Sequence, residues 1–412
     1  MFLLRKFGLR RRRSVDKGRE AVQKALQFGL VLLMAAMVAG RSPLGAESPA
    51  QAHPATITEQ LATEDRLRNP GWWPTKGTFP ADAYVGNKVC AECHAGLVAL
   101  QKRTSMAQTA TPAKGSEHLR QHPLNYKLGR YSYEAAQAGD GAKYSVSDGA
   151  TSYAASLQWA FGIRMGQSFL FERNGGIFMA PLTYYPEADR WDFTVDQPHS
   201  VPESFDKAVG RRLLDAEVRG CFNCHNTGAT MNDKFDPQHS TPGVTCEACH
   251  GPGAEHVSAE KAGTAEEGKT GILNPRHLTP VESVDFCGSC HRTWWDVTLS
   301  GSTGITSLRF PPYRLENSRC WGKGDARLAC VACHNPHQPL QRDAKAYDSR
   351  CLSCHVNDVA AKTTADHPGK ACPTARKECV SCHMPKAIVT DIPVKFTDHQ
   401  IRVVRSNEAI PK

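Results

Sequence analysis

Seven copies of the pentapeptide Cys-x-x-Cys-His occur in this 412-residue chain. Numbered in chain order as motifs 1 to 7, they are Cys90–His94, Cys221–His225, Cys246–His250, Cys287–His291, Cys330–His334, Cys351–His355 and Cys379–His383. Two thiols at this spacing add to the two vinyl groups of one porphyrin, and the adjacent imidazole then lies under the iron as its proximal ligand. The pattern therefore predicts seven covalent haem c groups.

The motifs supply fourteen attachment sites and seven proximal ligands. The attaching cysteines are Cys90, Cys93, Cys221, Cys224, Cys246, Cys249, Cys287, Cys290, Cys330, Cys333, Cys351, Cys354, Cys379 and Cys382. The proximal ligands are His94, His225, His250, His291, His334, His355 and His383. Structural zinc sites and disulfide frameworks also use paired cysteines, but neither accounts for a histidine directly after every second cysteine.

The second axial ligand of each iron decides the chemistry. An iron with protein ligands on both faces transfers electrons, whereas an iron with an open face can bind and transform a small molecule. The histidines expected as distal ligands are His256, His337, His399, His277, His239, His367 and His118, with His122, His199 and Met106 as further candidates. His256 and His337 follow their own motifs too closely to wrap around the haem attached there. We therefore expect each of them to bind a neighbouring haem.

Two cysteines, Cys320 and Cys372, stand outside the motifs. In an oxidising compartment a disulfide between them would close a loop that contains motifs 5 and 6. A free thiol near a haem is the alternative.

The first 52 residues have the organisation of a secretory signal peptide. A basic stretch that includes Arg10–Arg13 precedes an uncharged segment, Ala25–Gly40, and the small-residue triplet Ala50–Ala52 follows. The uncharged segment has 16 residues, fewer than the 18 or more expected of a membrane span. We therefore expect a periplasmic or otherwise extracytoplasmic protein, associated with a membrane only if the signal is an uncleaved anchor.

The formal charge of +9 belongs mostly to this segment, which holds ten Lys or Arg against three Asp or Glu. The remainder has 40 basic and 38 acidic residues, a net charge of +2. Each haem adds two propionates against one positive charge on its ferric porphyrin, so seven haems bring the total to about −5. Nucleic acid is therefore not an expected partner.

Five parts are expected along the chain: a signal peptide (1–52), an extended lead-in (53–86), a haem 1 segment (87–124), an inserted β subdomain (125–200) and a haem 2 to 7 domain (201–412). Six motifs lie between Cys221 and His383, too close together for each haem to have its own apolar pocket, so the porphyrins must pack against one another. The predicted fold class is mainly short α-helices and irregular loops around a stack of covalent haems, with a small inserted antiparallel β subdomain.

The β subdomain is predicted from alternating apolar residues at three places. They are Tyr144 and Val146, then Leu157, Trp159 and Phe161, then Trp191, Phe193 and Val195. The dipeptide Asn174-Gly175 lies between two apolar runs and predicts a hairpin turn. The subdomain could cover haem faces as a lid or spacer, or it could dock a partner or gate a substrate. An amphipathic helix is predicted over residues 205–219, before motif 2.

Several strings resemble one family. They are Gly243-Val244-Thr245 before motif 3 with Gly251-Pro252-Gly253 after it, Leu328-Ala329 before motif 5, Met384-Pro385-Lys386 after motif 7, and Phe396-Thr397-Asp398-His399. The chain resembles multihaem cytochromes related to the tetrahaem cytochrome c of hydroxylamine oxidation, which are often fused to tetratricopeptide repeats. The resemblance implies electron transfer, with His256, His337 and His399 as distal ligands. Relatives often have a histidine near Pro393-Val394, where this chain has Val394.

These observations favour an exported seven-haem cytochrome that carries electrons through mostly bis-histidine haems. Its partners would be redox proteins or a quinol-linked donor, and oligomerisation is left open. One alternative is a reductase or oxidase of a small nitrogen or sulfur species at a five-coordinate haem. Another is a subunit of an extracellular cytochrome filament.

Overall fold

The computed structural model describes residues 79–232, 234–266, 271–321, 328–355, 372–405 and 407–411. The predicted signal peptide, lead-in residues 53–78 and the candidate ligand His367 lie outside these ranges. All described residues belong to one compact unit. Within them, no helix has the length and apolar character needed to cross a membrane.

The described helices are short, and many of them carry a haem-attachment motif. The α-helices are α1 (Gly86–Gln101), α2 (Glu117–Gln121), α3 (Phe205–Val209), α4 (Asp215–His225), α5 (Cys246–His250), α6 (Ala254–Ala262), α7 (Pro280–His291), α8 (Trp294–Ser300), α9 (Pro311–Glu316), α10 (Cys330–Cys333), α11 (Asp348–Leu352) and α12 (Cys379–His383). The 3-10 helices are Ala81–Ala83, Ala113–Gly115, Pro237–His239, Pro275–His277, Gly304–Arg309 and Ala344–Tyr347.

The described strands all pair antiparallel. They are β1 (Ala110–Pro112), β2 (Leu124–Leu128), β3 (Tyr131–Ala138), β4 (Gly141–Ser147), β5 (Ser152–Ser156), β6 (Trp159–Phe161), β7 (Ser168–Arg173), β8 (Gly176–Met179), β9 (Leu182–Tyr185), β10 (Arg190–Phe193), β11 (Arg211–Arg212), β12 (Asn226–Thr227), β13 (Thr230–Met231), β14 (Lys234–Phe235), β15 (Thr241–Pro242), β16 (Lys386–Ile388) and β17 (Lys395–Thr397).

Two larger sheets occupy the region between motifs 1 and 2. A four-stranded sheet has the order β2-β3-β4-β5, and a five-stranded sheet has the order β1-β6-β7-β8-β11. The alternating pattern buries Tyr131, Tyr133 and Ala135 on one face of β3 and leaves the residues between them exposed, as expected for a sheet with one face on the core.

The hairpin predicted at Asn174-Gly175 is confirmed, because these residues connect β7 to β8 with Arg173 opposite Gly176. Both turn residues have positive φ, 50° and 72°. Asn-Gly suits this position, because a two-residue hairpin turn of this kind needs positive φ at both central residues.

The β region packs onto the haem-motif region at two places. In one cluster, Trp159, Phe161 and Leu170 pack with Val218 and Phe222 of the motif 2 helix α4. In another, Tyr185 packs with Leu308 and with residues around β16 and β17. The β region is therefore joined through buried side chains to both ends of the segment that carries motifs 2 to 7.

The single helix predicted over residues 205–219 is wrong. The segment forms two helices, α3 and α4, separated by β11, and Gly210 at the break has φ of 146°. A Cβ at Gly210 would lie 2.7 Å from the carbonyl oxygen of Met179. The apolar pattern does not reveal this break, because β11 forms only by pairing with the distant strand β8.

The expectation of short helices with an inserted antiparallel β region is confirmed, but the sheet content is larger than predicted. The five-stranded sheet begins at Ala110 and includes Arg211–Arg212, beyond both ends of the predicted subdomain. Short strand pairs also occur at 226–242 and 386–397. The haem stack stays a prediction.

Candidate haem-binding sites

The helices explain how each motif presents its reactive groups. Motifs 2, 3, 4 and 7 lie entirely in helices, and the first cysteines of motifs 5 and 6 lie in α10 and α11. Both cysteines of motif 1 lie in α1, but the helix is kinked at His94, whose φ of −114° and ψ of 36° are not helical. Residues at positions i, i+3 and i+4 of a helix lie on one face. The spacing Cys-x-x-Cys-His therefore directs two thiols and one imidazole to the same side of the helix, as attachment of one porphyrin requires.

Three motif histidines each face a histidine from outside the motifs. The ring centroids of His94 and His256 lie 6.4 Å apart with planes 16° from parallel. Those of His250 and His337 lie 5.9 Å apart at 9°. For His334 and His399 the values are 6.2 Å and 46°.

These separations fit two imidazoles that share one metal ion. An imidazole nitrogen binds a metal at about 2 Å, so two imidazoles on opposite faces of one ion have centroids roughly 6 to 6.5 Å apart. The donors present therefore suit a haem iron with histidine on both faces.

The three pairs follow a regular order along the chain. His256 follows motif 3 and faces the motif 1 histidine, His337 follows motif 5 and faces the motif 3 histidine, and His399 follows motif 7 and faces the motif 5 histidine. Each odd-numbered motif after the first is thus followed by an imidazole that faces the preceding odd-numbered motif. This order links motifs 1, 3, 5 and 7 in one series.

Backbone carbonyls fix the orientation of several motif histidines. The Nδ1 atoms of His250 and His383 lie 2.8 Å from the carbonyl oxygens of Leu273 and Arg402. The Nδ1 atom of His225 lies 3.0 Å from the carbonyl oxygen of Thr109. An imidazole that donates from Nδ1 to a carbonyl keeps the lone pair of Nε2 for a metal.

Burial keeps several of the paired imidazoles neutral. It lowers the pKa of His250 and His334, and it lowers the pKa of His399 to about 4. Neutral imidazole is the form that binds a metal.

Thiols from different motifs also lie near one another. Cys90 is near Cys246, Cys287 near Cys330, and Cys351 near Cys379, close enough that the second thiol of each pair affects the pKa of the first or the reverse. These neighbours pair motif 1 with 3, motif 4 with 5, and motif 6 with 7. Motif 2 lies beside motif 4, because the thiol of Cys224 is 3.7 Å from the carbonyl oxygen of Ser289. The attachment sites are thus neighbours in a connected set.

Glu247, one of the two variable residues of motif 3, ties motif 3 to motif 1. Its buried carboxylate accepts hydrogen bonds from the backbone amides of Val85 and Gly86, at 2.8 and 2.9 Å, where α1 begins. It also accepts from the amide of Gly253 at 2.9 Å. A carboxylate at a helix N-terminus satisfies amides that have no partner within the helix and interacts favourably with the helix dipole.

Asp348 ties motifs 6 and 7 in the same way. Its two carboxylate oxygens accept hydrogen bonds from the amides of Glu378 and Cys379, at 2.7 and 2.9 Å, where α12 begins. The hydrogen bond from the Cys379 amide is the main cause that lowers the pKa of Asp348.

The other candidate ligands lie elsewhere. His118 is beside Tyr184, with Nε2 2.9 Å from the carbonyl oxygen of Ile163. His239 is exposed, and its Nδ1 is 2.7 Å from a carboxylate oxygen of Asp236. His277 is exposed at the end of a 3-10 helix. The structure does not bring these three rings opposite a motif histidine.

Two further sequence features have definite positions. Val394, where relatives often have a histidine, is buried in the apolar cluster that contains Tyr185 and Leu308.

Cys320 and Cys372 are not joined by a disulfide, and Cys372 is exposed.

Sequence reasoning missed the residues that hold the ligands in place. Leu273 and Arg402 act through backbone carbonyls, which any residue type supplies, so the sequence carries no signal for them. Thr109 approaches Nδ1 of His225 with both its hydroxyl, at 2.8 Å, and its carbonyl oxygen, at 3.0 Å. The sequence does show that Glu247 is an acidic residue inside motif 3. It does not show which amides the carboxylate binds, because those amides belong to the start of α1, which is distant in sequence.

Cys-x-x-Cys-His motifs, paired imidazoles and carbonyl-oriented rings suit the covalent binding and bis-histidine ligation of haem c. Residues 197–251 match the family model described as cytochrome c554 and c-prime. The chain is 26% identical over 226 residues to the multiheme cytochrome MtrA of Shewanella baltica (strain OS185). The matched region is 52% of this chain and 58% of the length of that protein. Over these regions the chain is similar to multihaem c-type cytochromes.

One solved structure, that of the outer cell wall cytochrome OcwA, is similar with a TM-score of 0.47 and 15% identity. The similarity covers 78% of this chain and 80% of that one. The narrower resemblance to cytochromes of hydroxylamine oxidation stays a prediction.

Proposed function

We propose that this chain is an exported seven-haem c-type cytochrome that carries electrons between redox partners through mostly bis-histidine haems. Haem c supplies the one-electron chemistry, and the chain supplies the axial ligands, their orientation and the distances between sites. The family match and the similarity to a multiheme cytochrome support electron transfer as the general activity.

The observation that carries this proposal is the series of three imidazole pairs. An iron with imidazole on both faces has no open position for a substrate, so it exchanges electrons without forming a bond to the partner. At motifs 1, 3 and 5 a second imidazole faces the motif histidine, which supports this arrangement there. In this proposal His256 binds the iron at motif 1, His337 the iron at motif 3, and His399 the iron at motif 5.

The contacts between motifs support a continuous route. Neighbouring first cysteines link motif 1 to 3, 4 to 5, and 6 to 7, and the imidazole pairs link 3 to 5 and 5 to 7. In this proposal electrons pass along the odd-numbered sites, with sites 4 and 6 beside that line and site 2 beside site 4. The external donor is a redox protein or a quinol-linked system.

The remaining parts of the proposal concern export. The basic segment and the uncharged segment Ala25–Gly40 support secretion, which would bring the chain to the compartment where haem is attached. Amino-terminal sequencing of the mature protein would locate the cleavage site, expected near residue 52.

A redox titration of the purified holoprotein tests the function. We expect reversible oxidation and reduction of all seven haems, low-spin spectra at the three paired sites, and rapid reduction by a small-molecule donor in stopped flow. Haems that are predominantly high-spin and bind carbon monoxide in the reduced state would contradict the proposal, since open irons indicate small-molecule chemistry.

A further inference from the structure

A buried group of charged side chains lies between two of the haem-ligand histidines. Arg314 of α9 has no exposed surface and grips the carboxylate of Asp398 with two hydrogen bonds, Nε to Oδ1 at 2.8 Å and Nη2 to Oδ2 at 2.9 Å. Arg402 donates through Nη1 to Oδ2 of the same carboxylate. Asp398 therefore binds two guanidinium groups.

All donors of Arg314 have partners. Nη2 also donates to the side-chain oxygen of Gln400 at 2.7 Å, and Nη1 donates to the carbonyl oxygen of Pro411 at 2.9 Å and to the hydroxyl of Ser307 at 3.4 Å. A lysine cannot reproduce five directed hydrogen bonds from a planar group. The side chain therefore fixes the path of the chain after motif 7 with a geometry that only arginine provides.

One side of this group holds His399. His399 directly follows Asp398, and its Nδ1 is 3.0 Å from the carbonyl oxygen of Thr397. The hydroxyl of Ser318 donates to the carbonyl of His399 at 3.3 Å and accepts from the amide of Ile401 at 2.9 Å. The backbone that carries the His399 imidazole is thus fixed by Arg314 at Asp398 and by Ser318 at His399 and Ile401.

The other side holds His383, the motif 7 histidine. Its Nδ1 donates to the carbonyl oxygen of Arg402 at 2.8 Å, and the amide of Arg402 donates back to the carbonyl of His383 at 3.3 Å. Arg402 is therefore bound to Asp398 through its side chain and to His383 through its backbone.

We propose that Arg314 is a positioning residue for two haems at once: through Asp398 and Arg402 it sets the distal ligand at motif 5 and the orientation of the proximal ligand at motif 7. This inference rests on the proposed ligation by His399 and His383. Removing the guanidinium leaves the Asp398 carboxylate underpartnered in the interior, so the segment 398–402 shifts and both imidazoles move with it.

The test compares Arg314→Lys with a matched control, Arg190→Lys, in the purified holoprotein. Arg190 also bonds an aspartate through Nε and Nη2, at 3.1 and 2.7 Å to Asp192, but on the β hairpin away from the motifs. Mass spectrometry first establishes that both variants carry seven haems. Electron paramagnetic resonance, carbon monoxide binding to the reduced protein and redox titration follow.

For Arg314→Lys we expect one high-spin haem per chain with one equivalent of bound carbon monoxide, and a shifted reduction potential at a second haem. The Arg190→Lys control should match the parent protein. If Arg314→Lys does not fold, the milder Ser318→Ala variant should raise the high-spin fraction at one site alone.

A fully low-spin spectrum and parental potentials in the folded Arg314→Lys variant would overturn this inference. So would a parental spectrum in Ser318→Ala when Arg314→Lys fails to fold. A parent protein without covalent haem would instead overturn the proposed function, so the two failures are distinguishable.

Discussion

The imidazole of His337 faces that of His250, with ring centroids 5.9 Å apart and planes 9° from parallel. His337 stands three residues after motif 5, whereas His250 closes motif 3. The imidazole that follows motif 5 in the chain thus lies opposite the histidine of motif 3. This relationship, repeated at motifs 1 and 5, gives the first prediction.

Replacement of His337 by alanine should convert one haem per chain from low-spin to high-spin, because in the proposed ligation the iron at motif 3 would lose its second imidazole. Electron paramagnetic resonance and carbon monoxide binding to the reduced protein measure this change. His199→Ala is the matched control, since His199 is exposed and packs on Phe193 with centroids 4.4 Å apart. Equal spectra for the two variants would contradict the assigned pairing.

The mature protein should exceed the mass of its polypeptide by seven haem equivalents, because each motif is proposed to attach one porphyrin through thioether bonds. Mass spectrometry of the denatured protein counts them, since covalent haem survives denaturation. A Cys379→Ser/Cys382→Ser double variant should lose one equivalent. A colourless protein that contains zinc would contradict the haem assignment.

Replacement of Glu247 by alanine should destabilise the fold by about 2 kcal/mol or more, because three amide donors lose their acceptor. The thermal unfolding midpoint should fall, and the spectrum of the haem at motif 1 should change, since α1 is no longer anchored to motif 3. Glu134→Gln, at an exposed position on β3, should stay within about 0.5 kcal/mol of the parent. An unchanged midpoint for Glu247→Ala would show that the tie is not stabilising.

Asp348 should stabilise the junction of motifs 6 and 7 in a pH-dependent way. Its pKa is lowered, chiefly by the hydrogen bond from the Cys379 amide, so its contribution is present above the ordinary aspartate pKa and is lost as the pH falls through the lowered value. The difference in unfolding midpoint between the parent and Asp348→Asn should therefore be largest near neutral pH and vanish in acid. A difference that does not change with pH would argue against the carboxylate as its source.

Gly210→Ala should destabilise the protein by about 1 kcal/mol or more, since φ of 146° and the nearby Met179 carbonyl both disfavour a Cβ. Gly220→Ala is the control, because Gly220 lies inside α4 with open space around its Cβ position. There, alanine should be neutral or stabilising by up to about 1 kcal/mol. Chemical denaturation of both variants measures the two effects, and similar losses in both would contradict the conformational argument.

The family resemblance favours His256, His337 and His399 as distal ligands. The structure places the same three rings opposite motif histidines. The sequence showed that His256 and His337 stand too close to their own motifs to reach the haem attached there. It could not say which motif each one faces, because the answer depends on contacts between segments far apart in the chain. For His118, His239 and His277 the residue type alone was insufficient, since histidine also serves on surfaces and beside aromatic rings.

What the sequence determines by itself is local. The motif spacing and the helical repeat place two thiols and an imidazole on one face, and Asn174-Gly175 specifies its hairpin, because both depend on neighbouring residues. The tertiary structure alone decides that His399 faces His334, that Arg314 holds Asp398, and that β11 interrupts the segment before motif 2. Those relationships arise from packing and hydrogen bonding between distant segments, which no short pattern of residues encodes.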